Sequence, residues 1–202
     1  LVSSFPYALG QAADEAQAIL KTTHCAQEQG HGIVDVLTGR VNPAGRTTQT
    51  WPADILDLPP MMDYDIRNGR TYMYSKAEPL YPFGYGLSYT TFDYSDLKVS
   101  TDGDTLRVSF TLRNTGDRDG EEVPQMYLRI GKDEPYKLRA FDRVAVPAGG
   151  EKRVVLTLPM ADAGDWRPAE RDFRLSAGTR AEVAVGASSA DLRLHDSFKV
   201  KK

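Results

Sequence analysis

Two carboxylates held about 5–10 Å apart across a sugar are the minimum apparatus for acid/base cleavage of a glycosidic bond. The acids of this 202-residue chain that invite the comparison are Glu28, Asp63, Asp65 and Glu78. Spacing alone selects no pair among them. Glu28 lies close to the start of a helical pattern, where unpaired N–H groups and the macrodipole favour a carboxylate, so a structural role is the simpler reading. Asp63 and Asp65 stand in DYDIRNGR beside Arg67 and Arg70. Ion pairs that pin a loop account for them without catalysis, and a place on a substrate rim is the competing reading. His24, Cys25 and His31 offer nitrogen and sulfur donors, but two histidines and one thiol at this spacing match no zinc motif. Cys25 as a nucleophile would need a base and an oxyanion hole, and a lone thiol near a helix start is expected to be buried. No G-x-S-x-G, P-loop or dinucleotide fingerprint occurs, and FGYGLS is too short for a phosphate loop. The residues therefore assign no catalytic or substrate-binding position, no metal and no cofactor.

The elements that would have to position such chemistry change character along the chain. LVSSFPYAL opens on apolar residues without a signal-type pattern and reads as a strand cut in the middle, as though the chain began inside a larger protein. AQAILKT, residues 16–22, suits a buried strand, and QEQGHGIVDVLTG places Ile33, Val36 and Leu37 at helical spacing before Gly39 ends the helix. One strand–helix unit cannot cover a parallel sheet, so residues 1–60 form a partial α/β piece that needs a partner. Prolines and Asn68-Gly69 turn chemistry mark the following stretch as connecting chain.

PLYPFGYGLSYTTFDYS, residues 79–95, sets six aromatic side chains beside two glycines with no amphipathic period until its last few positions. Residues 61–90 read as an irregular, aromatic-rich interdomain linker. Arg70, Tyr72, Tyr81, Phe83 and Tyr85 are the residues expected to pack between the α/β piece and the sandwich, and stacking on a sugar is the competing use of the rings. Beyond residue 91 the period becomes two. In LRVSFTLRNTGD, Leu106, Val108, Phe110 and Leu112 alternate with polar residues. Further strands are expected in FDYSDLKVS, EEVPQMYLRI, LRAFDRVAV, KRVVLTLP, RDFRLS, AEVAVGA and DSFKV. The fold class is mainly β, with residues 91–202 an immunoglobulin-like β-sandwich of about seven strands.

Composition narrows the partners. A formal charge of −3 leaves no basic face, so nucleic acid is not an expected partner. No apolar run approaches the ~18 residues of a membrane span, so no membrane partner is expected either. A single cysteine excludes an internal disulfide and leaves the compartment open.

QEQGHGIVDVLTGRVNPAGRTTQTWP, MMDYDIRNGRTYMY and EPLYPFGYGLSYTTFDYSDLKVS, in this order and spacing, resemble the C-terminal part of glycoside hydrolase family 3. The likeness continues through LRAFDRVAVPAGGEKRVVLTLP and VAVGASSADLRLHDSFKV and covers essentially the whole chain. It implies the end of an α/β sandwich domain followed by a fibronectin type III-like domain. The parent would be a retaining, exo-acting β-glucosidase or β-xylosidase acting on a β-linked oligosaccharide or aryl glycoside. A homodimeric parent and a secreted or periplasmic setting are compatible with the resemblance. It further implies that the nucleophilic aspartate and the acid/base glutamate lie outside this sequence, and that Glu28, in the motif formed by Gln27, Glu28 and Gly30, is not the acid/base. Gly32 and Ile33 stand where relatives usually show small helix-forming residues such as alanine and put the helix in mild doubt, and Thr47-Thr48, where a leucine-proline pair is common, is a second departure from the family pattern. A fragment that is inert and supporting is the expectation. A stand-alone carbohydrate- or protein-binding module with Tyr81, Phe83 and Tyr85 exposed, and a purely structural domain, are the competing readings.

Overall fold

The computed structural model describes residues 1–167, 171–173 and 175–200. The chain divides into two compact units, Leu1–Leu87 and Ser88–Lys202.

In the first unit, strand β1 (Val2–Ser3) and strand β2 (Lys21–Thr22) form a two-stranded parallel ladder connected through helix α1 (Gln11–Glu15). The strand expected over 16–22 is therefore confined to its last two residues. A parallel ladder of two short strands has no third strand to extend it, and Ala16 is still occupied in closing α1 through its N–H to the Ala12 carbonyl. Helix α2 (Gln29–Leu37) forms where the Ile33, Val36 and Leu37 spacing predicts it, in spite of Gly30 and Gly32. Ile33 and Val36 are half-buried and Leu37 is exposed. The helix stops as expected: Gly39 takes φ of +71° and donates to the Val36 carbonyl. A 3-10 turn over Ile55–Asp57 and helix α3 (Thr71–Tyr74) complete the regular structure of this unit.

Residues 47–51 run antiparallel to residues 80–85, and this pairing organises the rest of the unit. Trp51 N donates to the Tyr81 carbonyl at 2.9 Å and Leu80 N to the Trp51 carbonyl at 2.9 Å. Four residues away, Thr47 N donates to the Tyr85 carbonyl and Gly84 N to the Thr47 carbonyl, both at 2.8 Å. The Thr47 hydroxyl adds two more bonds, donating to the Pro82 carbonyl and accepting from Tyr85 N. The departure at Thr47 is thus a hydrogen-bonding clasp. Gly86 closes the pair: a Cβ there would lie 2.3 Å from the Gly45 carbonyl oxygen.

The second unit is a β-sandwich, as the period-two pattern predicts. Its strands are β3 (Phe92–Asp102), β4 (Thr105–Asn114), β5 (Gly120–Glu122), β6 (Gln125–Ile130), β7 (Lys137–Phe141), β8 (Val144–Val146), β9 (Glu151–Pro159), β10 (Trp166–Arg167), β11 (Asp172–Phe173), β12 (Arg180–Ser188) and β13 (Asp191–Lys199), with helix α4 (Met160–Ala163) after β9. A three-stranded sheet, β3-β4-β9, faces a four-stranded sheet, β13-β12-β6-β7. EEVPQMYLRI splits into β5 and β6 because Pro124 has no N–H for the ladder, and LRAFDRVAV splits into β7 and β8 at Asp142-Arg143. DSFKV proves to be the end of a longer strand, since Leu192 and Leu194 extend β13 back to Asp191. RDFRLS contains β11, and its Arg174 lies outside the described residues. β3 carries a bulge between Ser95 and Lys98, where Asp96 takes φ of +55°.

The core lies between the two sheets. Leu106, Val108, Phe110 and Leu112 are fully buried against Val154, Leu156, Met126, Leu128, Val183 and Val185. Asn114, also fully buried, satisfies its amide completely. It accepts from the Thr90 hydroxyl and Gly116 N and donates to the Arg118 and Val146 carbonyls.

Phe110→Ala is expected to destabilise the sandwich by about 3–5 kcal/mol, read as a lower denaturation midpoint in urea. Gly86→Ala should unfasten residues 45–51 from 80–86 while leaving the sandwich transition unchanged, read by faster amide exchange at Gly84 and Tyr85. On the outer sheet surface, Arg129 and the Tyr136 hydroxyl both donate to Glu182, and the Arg129 bond is the main cause of a carboxyl held below its usual range. The resulting stabilisation is present above the unfolded carboxyl's pKa and is lost as pH falls through the depressed folded value. Glu182→Gln should therefore flatten the acid limb of the sandwich's stability curve.

Candidate functional site

A cavity of about 370 Å³ opens on the first unit. Its walls come from the chain on either side of the 47–51/80–85 pairing, from the 3-10 turn and from α3. Tyr72 and Phe83 form one wall, stacked with centroids 4.6 Å apart and planes 17° from parallel. Arg70, Asp57 and Glu78 bring charge to the rim. Thr71 opens α3 at φ of +63°, a strained value for a β-branched residue, with its hydroxyl accepting from Met73 N.

The charged groups of the rim are already in use or exposed. Arg70 Nε donates to the Asp63 carbonyl and Nη2 to the Pro60 carbonyl, both at 2.7 Å, so its guanidinium ties the 60–70 turn together. Asp57 belongs to a capping box: its carboxylate accepts from Asp54 N while Asp54 accepts from Leu56 N. Glu78 is exposed on the rim. The cavity therefore presents one uncommitted carboxylate, whereas acid/base cleavage of a glycoside needs two.

Of the acids singled out by residue type, Asp63 and Asp65 pin a loop. Asp63 accepts from Asp65 N and from the Asn68 amide, and Asp65 accepts from Arg67 N and lies 3.4 Å from the Arg67 guanidinium. Glu28 sits at the start of α2 and accepts no backbone N–H through its side chain; its carboxylate meets His31 Nδ1 at 2.6 Å on the surface. His24 bonds the Ser4 hydroxyl instead. Cys25 is exposed, with its thiol donating to the Thr23 carbonyl, which corrects the expectation that it is buried. It precedes α2 on an irregular, exposed segment.

The five residues expected to pack between the two bodies, Arg70, Tyr72, Tyr81, Phe83 and Tyr85, all belong to the first unit. Tyr81 stacks on Tyr85 at 5.4 Å and meets the buried Trp51 edge-on at 6.1 Å, and Trp51 in turn contacts Tyr7 at 6.0 Å. Burial, with a smaller contribution from Tyr85, raises the Tyr81 hydroxyl above its ordinary pKa. Tyr72, Tyr81, Phe83 and Tyr85 are half-buried. Trp51 was not among the residues that spacing singled out; the signal was available in a tryptophan followed by proline at the end of an extended run.

The sandwich carries a second, polar cleft of about 440 Å³, lined by Asp93, Asp96, Glu151, Arg113 and Arg193 around Tyr94. One of its cations is committed. Arg193 lies 4.8 Å above the Tyr94 ring, donates to the Phe92 carbonyl and pairs with Asp191 at 2.7 Å. Among the described residues no group of three or more His, Cys, Asp or Glu side chains could hold a metal ion.

Comparison with known proteins matches both units to one family. Residues 1–89 match the glycosyl hydrolase family 3 C-terminal domain and residues 122–189 match the fibronectin type III-like domain. The chain is 34% identical to a probable β-glucosidase D of Aspergillus niger over 93% of its own length and 29% of the relative's. It is 36% identical to a xylan 1,4-β-xylosidase of Xylanibacter ruminicola over 91% of its length and 22% of that protein's. β-Glucosidase 3B of Thermotoga neapolitana superposes with a TM-score of 0.84 at 36% identity, covering 98% of this chain and 30% of that one. A β-glucosidase of Kluyveromyces marxianus superposes with a TM-score of 0.87 at 30% identity, covering 99% and 26%. The chain thus spans between about a fifth and a third of the length of these relatives, and every one of them is matched over both units. It belongs to glycoside hydrolase family 3, of which it carries the C-terminal domain and the fibronectin type III-like domain.

Proposed function

We propose that this chain is the supporting C-terminal part of a retaining, exo-acting β-glycosidase that removes terminal β-linked glucose or xylose, with both reacting carboxylates carried outside these 202 residues. The observation that carries the reading is the cavity rim, where Asp57 is locked in a capping box and only Glu78 is uncommitted. A double displacement needs a nucleophile and an acid/base on opposite sides of the scissile bond, and one exposed carboxylate cannot serve as both.

The uneven burial of the two units supports the same reading. Of the large apolar residues described as buried, only Trp51 belongs to the first unit, while the second has a complete core. Meanwhile Leu56, Met61, Met62 and Tyr64 are each 78–87% exposed along one short segment. A patch of this kind marks an interaction surface. In this reading it packs against the remainder of the longer polypeptide, and the sandwich contributes a rigid, self-sufficient body.

The purified chain is expected to release no nitrophenol from aryl β-glucosides or β-xylosides; turnover above the blank would end this reading. In a longer polypeptide that contains the reacting carboxylates, Leu56→Asp with Met61→Asp should lower the melting temperature by several degrees. The same pair should leave the 202-residue chain's melting unchanged. A stand-alone sugar-binding module predicts the opposite pattern: saturable changes in tryptophan fluorescence on titration with xylan or cello-oligosaccharides, where this reading expects flat titrations.

A further inference from the structure

The chain contains three asparagines, and the structure treats each of them differently. Asn42 precedes Pro43, which has no N–H. Asn114 is fully buried with its amide satisfied, and the N–H of the following Thr115 is bonded to the Thr91 carbonyl. Asn68 alone is exposed, and it precedes a glycine.

The geometry points to Asn68 as a site of spontaneous deamidation whose product unclasps the 60–70 turn on the wall of the first unit's cavity. Gly69 N–H donates to no acceptor among the described residues, so its nitrogen is not held by the hydrogen bonds that fix its neighbours: Asn68 N to the Asp65 carbonyl and Arg70 N to the Ile66 carbonyl. Gly69 takes φ of +95°, and a Cβ placed on it would meet nothing within 4 Å. With no side chain of its own, Gly69 does not screen its nitrogen from the preceding residue's side chain.

The chemistry needs only water. Gly69 N gives its proton to solvent base and attacks Asn68 Cγ, forming the C–N bond of a five-membered succinimide. The Cγ–Nδ2 bond breaks, and the nitrogen takes a proton from solvent and leaves as ammonia. Water then opens the ring at either carbonyl, leaving aspartate or isoaspartate at position 68. One water enters, one ammonia departs, and nothing is oxidised or reduced.

The consequence follows from what Asn68 holds. Its Nδ2 donates to Asp63 Oδ2 at 2.9 Å. The product replaces that donor by a carboxylate facing a carboxylate, an attraction turned into repulsion. Asp63 also anchors Asp65 N and, through its carbonyl, Arg70, whose other bond holds the Pro60 carbonyl. The turn so loosened carries Gly69, Arg70 and Thr71 on the cavity wall.

The test is to age the folded 202-residue chain in mildly alkaline buffer, locate amide-to-acid mass gains by peptide mapping, and label isoaspartate with protein isoaspartate methyltransferase. Limited proteolysis of the aged chain is run alongside. The expected result is conversion at Asn68 many-fold above that at Asn42 and Asn114, abolished in Asn68→Gln. Cleavage within 60–70 should be faster in the aged chain and in Asn68→Asp. Equal conversion at all three asparagines, or none at Asn68 while a peptide spanning 63–73 converts freely, overturns the site. Conversion without faster cleavage overturns the unclasping.

Discussion

The first unit is built around one indole. Trp51 is its only large apolar side chain removed from water, and the same residue supplies both the donor and the acceptor of the bridge to Leu80 and Tyr81. Burial of a ring this size contributes a few kcal/mol, and the two main-chain bonds add about 0.5–1.5 kcal/mol each. The neighbouring rings are arranged outward from that point. Tyr7 and Tyr81 lie against the indole, Tyr85 against Tyr81, and the Thr47 clasp keeps the two segments in register. Such an assembly orders side chains without generating a core, which is why α1, α2 and α3 contain no buried residue.

The sandwich solves the opposite problem. Its apolar residues alternate so regularly along β4 that four successive inward positions are sealed, and the facing strands supply complementary rows. The buried amide of Asn114 shows how a polar group is kept inside such a core at little cost. All of its hydrogen-bonding capacity is spent on turns at one end of the sheets, so that it fixes where β4 stops and where the chain enters β3. Ionic groups are handled at the surface in the same manner: Arg129, Tyr136 and Glu182 form one cluster, and Lys137, Arg139 and Asp165 another.

The two units differ equally in how far their sequences disclose them. Period-two alternation in LRVSFTLRN is a local signal that survives in the folded state, so the strands of the sandwich stand close to where the pattern puts them. The exceptions have local causes as well: Pro124 breaks one run, and β13 begins early because Leu192 and Leu194 continue the alternation. In the first unit the organising contacts are non-local. The partner of Thr47 is 35 to 38 residues away, and no period announces it. Asp63 and Asp65 were legible as loop-pinning acids because their partners are sequence neighbours. Asp57 was not, since only the 3-10 turn reveals that it is occupied. Cys25 eluded the general tendency of free thiols because that tendency presupposes a core to enter.

The bulge in β3 reaches beyond local geometry. β3 is an outer strand of its sheet, and such a strand offers free main-chain groups to any other extended chain. At Asp96 the backbone turns into a left-handed conformation, and its carbonyl is already taken by Arg153 from the far side of the same sheet. The rim is bent and partly occupied in the middle of its length, which interrupts the ladder a second strand would need. Extended polypeptides sliding past one another would find no continuous template along this strand.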